Sequence, residues 1–587
     1  MLTHETIARA TSIVRRFVAA TAMAVLCACS STAPGVSPAP SDPTSYEYDE
    51  TRRLVALVND AARRIETDGE AAFPEFRVPG GRWREAEMYV FVLDTEGNML
   101  VHPDPALEGT ATPDLKDVNG RPIVRGLIHA ATASPGKPGG WYHYEWPVPG
   151  GLLPRWKGSY VRLATAPSGR RFVTGSGVYN DRMERAFVVD MVEAAAGQVE
   201  QIGDAAFPLF RDPAGPFVAK DAYVFVLDPN GVELVNPAFP NLEGRNLLDV
   251  KDTQGKPLVR EMLGVAETQG SGWVDYMWPK PGESVSTRKS TYVRKADVGG
   301  RRLLVGAGVY LADAPKSAPD GAKMTAPALI AFVREAAAVF EQRGEAAFAE
   351  FRRKGSKWFQ GDTYVFVWTA EGTRVFNAPN PAMEGLDAID VKDAHGRPYG
   401  RMFRDVAASQ SGEGWVHYMF HEPGGIFPRW KSSFLKRVAS PSGKQHLVGC
   451  GIYEMQMDRT FIVDLVDRAA ALVAERGTRA FAELRDRRGP FVFMDTYVFV
   501  DTPDGVELVN PAQPSLEGKN LLDVRDADGK AMVREYTAAA LKDGAAWVEY
   551  RWHRPGHDAA SRKTTYVRLV RSGPDAYVVG SGFYVDD

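Results

Sequence analysis

The sequence predicts an α+β chain of four tandem units, each a long N-terminal helix packed on a central antiparallel β-sheet. Three observations predict it. A block reading MYVFVLDTEG, AYVFVLDPNG, TYVFVWTAEG and TYVFVDTPDG occurs four times in the 587 residues. An apolar stripe of helical period precedes each block, and runs of Tyr, Val, Phe and Trp broken by Gly, Asn, Asp and Pro follow it. Each copy closes on GSGVY, GAGVY, GCGIY or GSGFY. Self-similarity of this kind marks a repeat architecture, and four units fit a chain of this length at roughly 100–200 residues per domain.

Spacing adds a second level. Lys157, Lys289, Lys431 and Lys563 stand 132, 142 and 132 residues apart, and so do Trp141, Trp273, Trp415 and Trp547. Units one and three share PGG-x-x-PRWK, whereas units two and four share SRK or TRK before a Tyr-Val-Arg strand. A two-unit segment duplicated as a whole explains both patterns. The expected units are 49–181, 182–311, 327–455 and 456–587. A Pro/Ala-rich linker, 312–326, separates the two pairs and reads as a looser hinge between stiff halves.

Ahead of the units lies an address. Arg9, Arg15 and Arg16 precede the apolar run Phe17 to Leu26, which is too short to span a bilayer. Leu26-Cys27-Ala28-Cys29 resembles a lipobox. The reading is a lipoprotein signal peptide over 1–28, lipidation of Cys29, and a flexible Ser/Pro/Ala tether over 29–48. Ser30 and Ser31 follow the cysteine without an Asp, which implies the outer rather than the inner membrane.

Within a unit the elements follow one order. In unit two, Phe187, Met191, Ala195 and Val199 recur every four residues, and Val188 and Val192 widen the stripe. In unit four the stripe is Phe461, Leu465, Ala469 and Leu472. A Gly-acidic-Ala-Ala-Phe element comes next in three units, with Gly-Thr-Arg-Ala-Phe in the fourth. The β-rich remainder reads as an antiparallel sheet.

The YVFV strand, the Asn-Pro step (Asn236-Pro237, Asn510-Pro511), the segments Leu242 to Asp252 and Leu516 to Asp526, the strands Trp273 to Trp278 and Trp547 to Trp552, the Lys-x-x-Tyr-Val strand and the closing Gly-x-Gly-x-Tyr together resemble the Cache superfamily, specifically single Cache domain type 2. The resemblance spans about residues 49 to 587. It implies four tandem Cache (PAS-like) domains, each with a ligand pocket on the sheet face opposite the long helix. Such pockets take small ligands, often organic acids, in bacterial chemoreceptors and kinases.

A pocket for a small carboxylate needs a few charged, N–H or O–H donors amid aromatic walls. In unit two the candidates are Tyr223, Asn236, Arg260, Trp273, Tyr276, Lys289 and Tyr292. In unit four they are Tyr497, Asn510, Arg534, Trp547, Tyr550, Lys563 and Tyr566. Unit one offers Tyr89, His102, Arg125, Trp141 and Lys157, and unit three Tyr364, Arg401, Trp415 and Lys431. Any strand aromatic among them serves equally as core, and the Arg and Lys as ion pairs with Asp252 or Asp526. Units two and four keep the family pattern. Unit one has His102 for Asn, and unit three has Phe420 for Trp and Phe434 for Tyr. Ligand is therefore expected in the even units, and a different ligand or a structural role in the odd ones.

Other chemistries lack their signatures. A net charge of −4 gives no electrostatic case for nucleic acid. Ten histidines lie scattered without metal spacing, and no HExxH, P-loop, dinucleotide fingerprint or nucleophile elbow is present. Asp249, Asp252, Asp523 and Asp526 lack the calcium-loop spacing and read as turn formers. Cys450 fills a slot held by Ser176, Ala307 and Ser581, so it reads as a small buried residue. No metal, cofactor or catalytic residue is assigned. The expectation is a lipid-anchored protein on the periplasmic side of the envelope that binds small organic acids and passes its output to an unnamed protein partner. The alternative is an envelope scaffold built from degenerate copies of the fold.

Overall fold

The computed structural model describes residues 43–585 except 86, 133–138, 149–152, 180–181, 284–285, 312–323, 424–427, 556 and 558–559. The signal peptide, Cys29 and most of the linker lie outside the described residues.

Four long helices, Asp49–Asp68, Arg185–Ile202, Ala326–Arg343 and Arg459–Arg476, open the four units. Each ends on a glycine with φ between 55° and 61° (Gly69, Gly203, Gly344, Gly477), whose N–H caps the last turn. That conformation is cheap only for glycine, which explains the glycine opening the Gly-acidic-Ala-Ala-Phe element. In unit four the fully buried stripe runs Phe461, Leu465, Ala469 and Val473, and Leu472 packs half-buried at its edge.

The sheet of unit two has the order Glu233–Val235, Phe225–Leu227, Arg301–Tyr310, Ser286–Val298, Ser271–Pro279, all antiparallel, and the other units repeat it. The YVFV strand, second in this order, is buried on both faces. Val224 and Val226 pack under the long helix with Val192, Ala196 and Val199. Tyr223, Phe225 and Leu227 face the other way, toward the short helix Leu258–Gln269 through Val259, Met262 and Ala266. A two-faced core accounts for the unbroken YVFV run.

Two boundary expectations shift. Tyr46, assigned to the tether, is buried: its ring meets Trp141 edge-on and its hydroxyl accepts from Trp141 Nε1 at 2.9 Å. Ala326, assigned to the linker, starts the third long helix, since Pro327 suits a first helical turn.

Within each pair the units are locked by an arginine found only in the odd units and by a phenylalanine that opens the long helix of the even one. Arg121, 3% exposed, donates to the carbonyls of Pro213, Gly215 and Val218 in unit two and lies over Trp156. Arg397 does the same to Arg487, Gly489 and Val492 in unit four, over Trp430. The even units carry Lys256 and Lys530 at this place, and each lysine turns back to its own strand, to the carbonyls of Asp275 and Glu549. Phe187, opening the second helix, packs on Trp141 and His143 of unit one, and Phe461 repeats this on Trp415 and His417.

Candidate functional site

On the face away from the long helix, the lysine strand, the closing strand and the YVFV strand form the floor of a hollow. Lys289 is fully buried, with its ammonium 4.0 Å from the ring centre of Tyr223 and 4.9 Å from that of Tyr310. No hydrogen-bond partner meets its Nζ. The closing motif makes room for it. A Cβ on Gly308 would stand 2.7 Å from Lys289 Cε and 2.4 Å from Thr291 Oγ1, and one on Gly306 would strike the Phe225 ring at 2.5 Å. Both glycines and Tyr310 share the lysine's face, which gives Gly-x-Gly-x-Tyr a steric meaning. The arrangement repeats: Lys157 lies over Tyr89 and Tyr179, Lys431 over Tyr364 and Tyr453, and Lys563 over Tyr497 and Tyr584. Lys157 and Lys563 also donate to Tyr89 and Tyr497, at 2.7 and 3.0 Å.

Burial pushes Lys289 down to about 7, with Asp221 and Glu233 opposing, and it takes Lys157 and Lys563 to the same level. Glu233, 3% exposed, is pushed up to about 8 by burial against the hydrogen bond from Asn236. In unit four, burial raises Asp501 to about 7 and holds Glu507 well above the carboxylate range, with Asp501 adding to the latter. One oxygen of each acid has no partner, and the other carboxyl oxygens take Tyr536 and Asn510. A small cavity of 20 Å³ lies among Glu507, Asn510, Tyr536, Tyr550, Trp552 and Lys563, enough for about one water. Tyr497 and Trp552 also line a larger cleft of 720 Å³ between unit four and the Leu153 to Trp156 segment of unit one.

The hollow brings together Tyr223, Asn236, Tyr276 and Lys289 in unit two, and Tyr497, Asn510, Tyr550 and Lys563 in unit four. Tyr276 and Tyr550 bond the hydroxyls of Thr291 and Thr565. Tyr89, His102 and Lys157 gather in unit one, and Tyr364 with Lys431 in unit three. The asparagine is largely spent on structure: Asn236 Oδ1 accepts from Phe239 N, and Asn510 Oδ1 from Gln513 N. His102 holds a shorter loop through Nδ1, accepting from Asp104 N two residues on at 3.0 Å, and burial takes this histidine down to about 4.

Two groups of expected residues lie elsewhere. Arg125, Arg260, Arg401 and Arg534 are exposed and pair with Asp114, Asp249, Asp390 and Asp523 on the surface. They sit on the outer side of the short helix, whose inner side the apolar residues occupy. Trp141, Trp273, Trp415, Trp547, Tyr292 and Tyr566 belong to the opposite sheet face. Trp273 pairs across strands with Tyr292 while Tyr276 pairs with Lys289, so strand alternation sends the two sets apart. Trp273 and Trp547 each lie under an arginine of the long helix, Arg185 and Arg459 at 4.8 Å, and Tyr292 donates to Glu193. Asp252 and Asp526 form turns, accepting from Lys256 N and Lys530 N.

Sequence reasoning missed Tyr179, Tyr310, Tyr453 and Tyr584, although each ends the closing motif. It also missed Glu233 and Glu507, where one acid stands in an otherwise apolar strand, Glu-Leu-Val. That isolated charge was the available signal.

A sheet backed by a long helix, with a short helix and loops closing a small polar hollow on its other face, defines the class of extracytoplasmic ligand-sensing modules. Models described as "Cache domain" match residues 82–184 and 474–587, and those described as "Single Cache domain 2" match 203–323 and 345–461. The chain belongs to the Cache superfamily. It is 37% identical over 93 residues to the methyl-accepting chemotaxis protein McpP of Pseudomonas putida, covering 16% of this chain and 17% of that protein. It has the same identity over 93 residues to the sensor histidine kinase MctS of Rhizobium johnstonii, covering 16% and 20%. The chain thus spans a fifth or less of the curated relatives it matches. A solved structure titled for carboxylic acid recognition by a Cache chemosensory domain is 28% identical, covering 21% of this chain and 91% of that one, with a TM-score of 0.19. Among the described residues no helix is long and apolar enough to cross a membrane.

Proposed function

We propose that this is a lipid-anchored, extracytoplasmic sensing protein that binds small organic acids without catalysis, a monocarboxylate in units two and four, and hands its output to a protein partner. The observation that carries the reading is Lys289: a fully buried ammonium with no hydrogen-bond partner, ringed by tyrosines. A buried cation costs several kcal/mol unless paired, and a carboxylate of two or three carbons supplies the missing partner at that point. Glu233, held protonated at neutral pH, leaves the way open for an anion. The curated relatives are a chemoreceptor and a sensor kinase, which supports a signalling role. The Cys29 lipobox supports attachment to the periplasmic side of the envelope, at the outer membrane.

Binding has to widen the hollow, since 20 Å³ is smaller than acetate. The same closure favours a second reading, an envelope scaffold that has kept the fold and lost its pocket. Thermal unfolding with acetate and propionate separates them, because a ligand of the folded state raises the melting temperature. A rise that Lys289→Ala and Lys563→Ala diminish supports the sensor. Unchanged melting with every small acid supports the scaffold.

A further inference from the structure

The surroundings of the four buried lysines are not electrostatic copies of one another. Opposite the lysine, one cross-strand pair faces each hollow: Leu93 with Met99, Leu227 with Glu233, Trp368 with Arg374, and Asp501 with Glu507. The second member is buried in every unit, between 3% and 6% exposed. One backbone position therefore carries an apolar group, an acid, a guanidinium and an acid in turn.

Unit three stands apart. Arg374 donates to the Tyr399 hydroxyl at 2.5 Å and lies over Trp368 at 5.1 Å. Tyr399 stacks on Tyr418 at 4.7 Å and 6°, and Tyr418 is the cross-strand partner of Lys431. Lys431 lies over Tyr364 and Tyr453. Among the described residues neither cation has an acid in contact. A guanidinium cannot shed its proton to escape burial, and aromatic faces compensate only part of the cost. The two cations occupy separate stations: one beside Trp368 and the short helix, the other beside Tyr364 and the closing strand. A phosphate gathers its donors around one point, whereas separate stations suit two carboxylates joined by a short carbon link. The planar fork of Arg374 fits one of them and the point charge of Lys431 the other.

We propose that this cross-strand pair sets the ligand charge of each unit, and that unit three takes a small dicarboxylate. The proposal rests on the hollow being a ligand site, as assigned above for the even units. Calorimetric titration of the whole chain with succinate, acetate and inorganic phosphate tests it. Succinate is expected to bind, and Arg374→Met to weaken it at least tenfold while acetate binding stays unchanged. Methionine is the native residue at this place in unit one, Met99, so the fold accommodates it. Arg374→Lys, which keeps the charge and drops the fork, is expected to fall between; if Arg374→Met melts early by circular dichroism, this variant decides. Succinate that fails to bind, or binds equally to the variants, overturns the proposal, as does phosphate binding that depends on Arg374 in place of succinate. Arg374-dependent succinate binding without acetate binding overturns only the monocarboxylate reading. Acetate binding without Arg374-dependent succinate binding overturns only this one.

Discussion

At the scale of single residues, the lysine of each unit is the group on which chemistry turns. Burial holds Lys289 near 7 and an anion favours its ammonium form, so acetate affinity is expected to be greatest below pH 7. It should fall by about tenfold per unit above that, and more steeply past 8, where Glu233 ionises and repels the ligand. Titrations from pH 6 to 9 check this; a flat profile would separate binding from Lys289. Folding responds in the opposite sense for this group. Between 7 and 10.5 the unfolded chain keeps the proton that the folded lysine has lost, so Lys289 contributes stability that grows with pH, while Glu233 contributes stability that is lost between 4.5 and 8. Gly308 is the second residue of consequence. Gly308→Ala is expected to cost about 1–3 kcal/mol, as overpacking does, and to displace Lys289; a lower melting temperature with weaker acetate binding is the outcome to look for. Lys289, Tyr223 and Tyr276 were legible as candidates from the repeated strand motifs, whereas Tyr310, which register sets opposite the lysine, was overlooked. The helix arginines were misplaced because period alone does not say which side of a short helix faces inward, and here Val259, Met262 and Ala266 occupy that side. The tryptophans at 273 and 547 were misplaced although their parity relative to Tyr276 and Tyr550 already separated them from the lysine.

At the scale of elements, the repeated helix-and-sheet unit was readable because its two-faced strand and its helix stripe each carry a period. What the periods could not reveal is how units dock, since that depends on side chains standing singly in loops. Arg121 and Arg397 follow an Asp-x-x-Gly turn and differ from Lys256 and Lys530 by one substitution, whose meaning appears only when the neighbouring unit is in place. Arg121→Ala is expected to destabilise the first pair by about 2–4 kcal/mol, because one buried and two half-buried carbonyls of the neighbouring unit lose their donor. Arg121→Lys is expected to recover only part of that, having no planar fork. Chemical denaturation of the whole chain, followed by the fluorescence of Trp156 against Arg121, is the check.

At the scale of the whole molecule, duplication has left two kinds of unit with different duties. The odd units supply the clamp and carry Met99 or Arg374 at the pocket pair, and the even units supply buried acids beside a lysine. Acetate is therefore expected to bind at two sites per chain, falling to one in either Lys289→Ala or Lys563→Ala. Four equivalent sites would contradict the division. Lipid attachment is a separate expectation at this scale: labelled fatty acid should enter the protein and be lost in Cys29→Ala. The 132-142-132 spacing made the paired organisation legible from the sequence alone, whereas the pocket charge of each unit was not, because it rests on one position in a short strand.

The clamp has a further implication. Arg121 and Arg397 grip main-chain oxygens in a turn that both even units build as Asp-x-x-Gly-Pro-Phe-Val, so they recognise the path of the backbone and are indifferent to most of the letters along it. Modules joined this way are interchangeable parts. A chimera seating the fourth module beside the first should click together as the native neighbours do, leaving sensor cavities free to diversify while the joint between them stays the same.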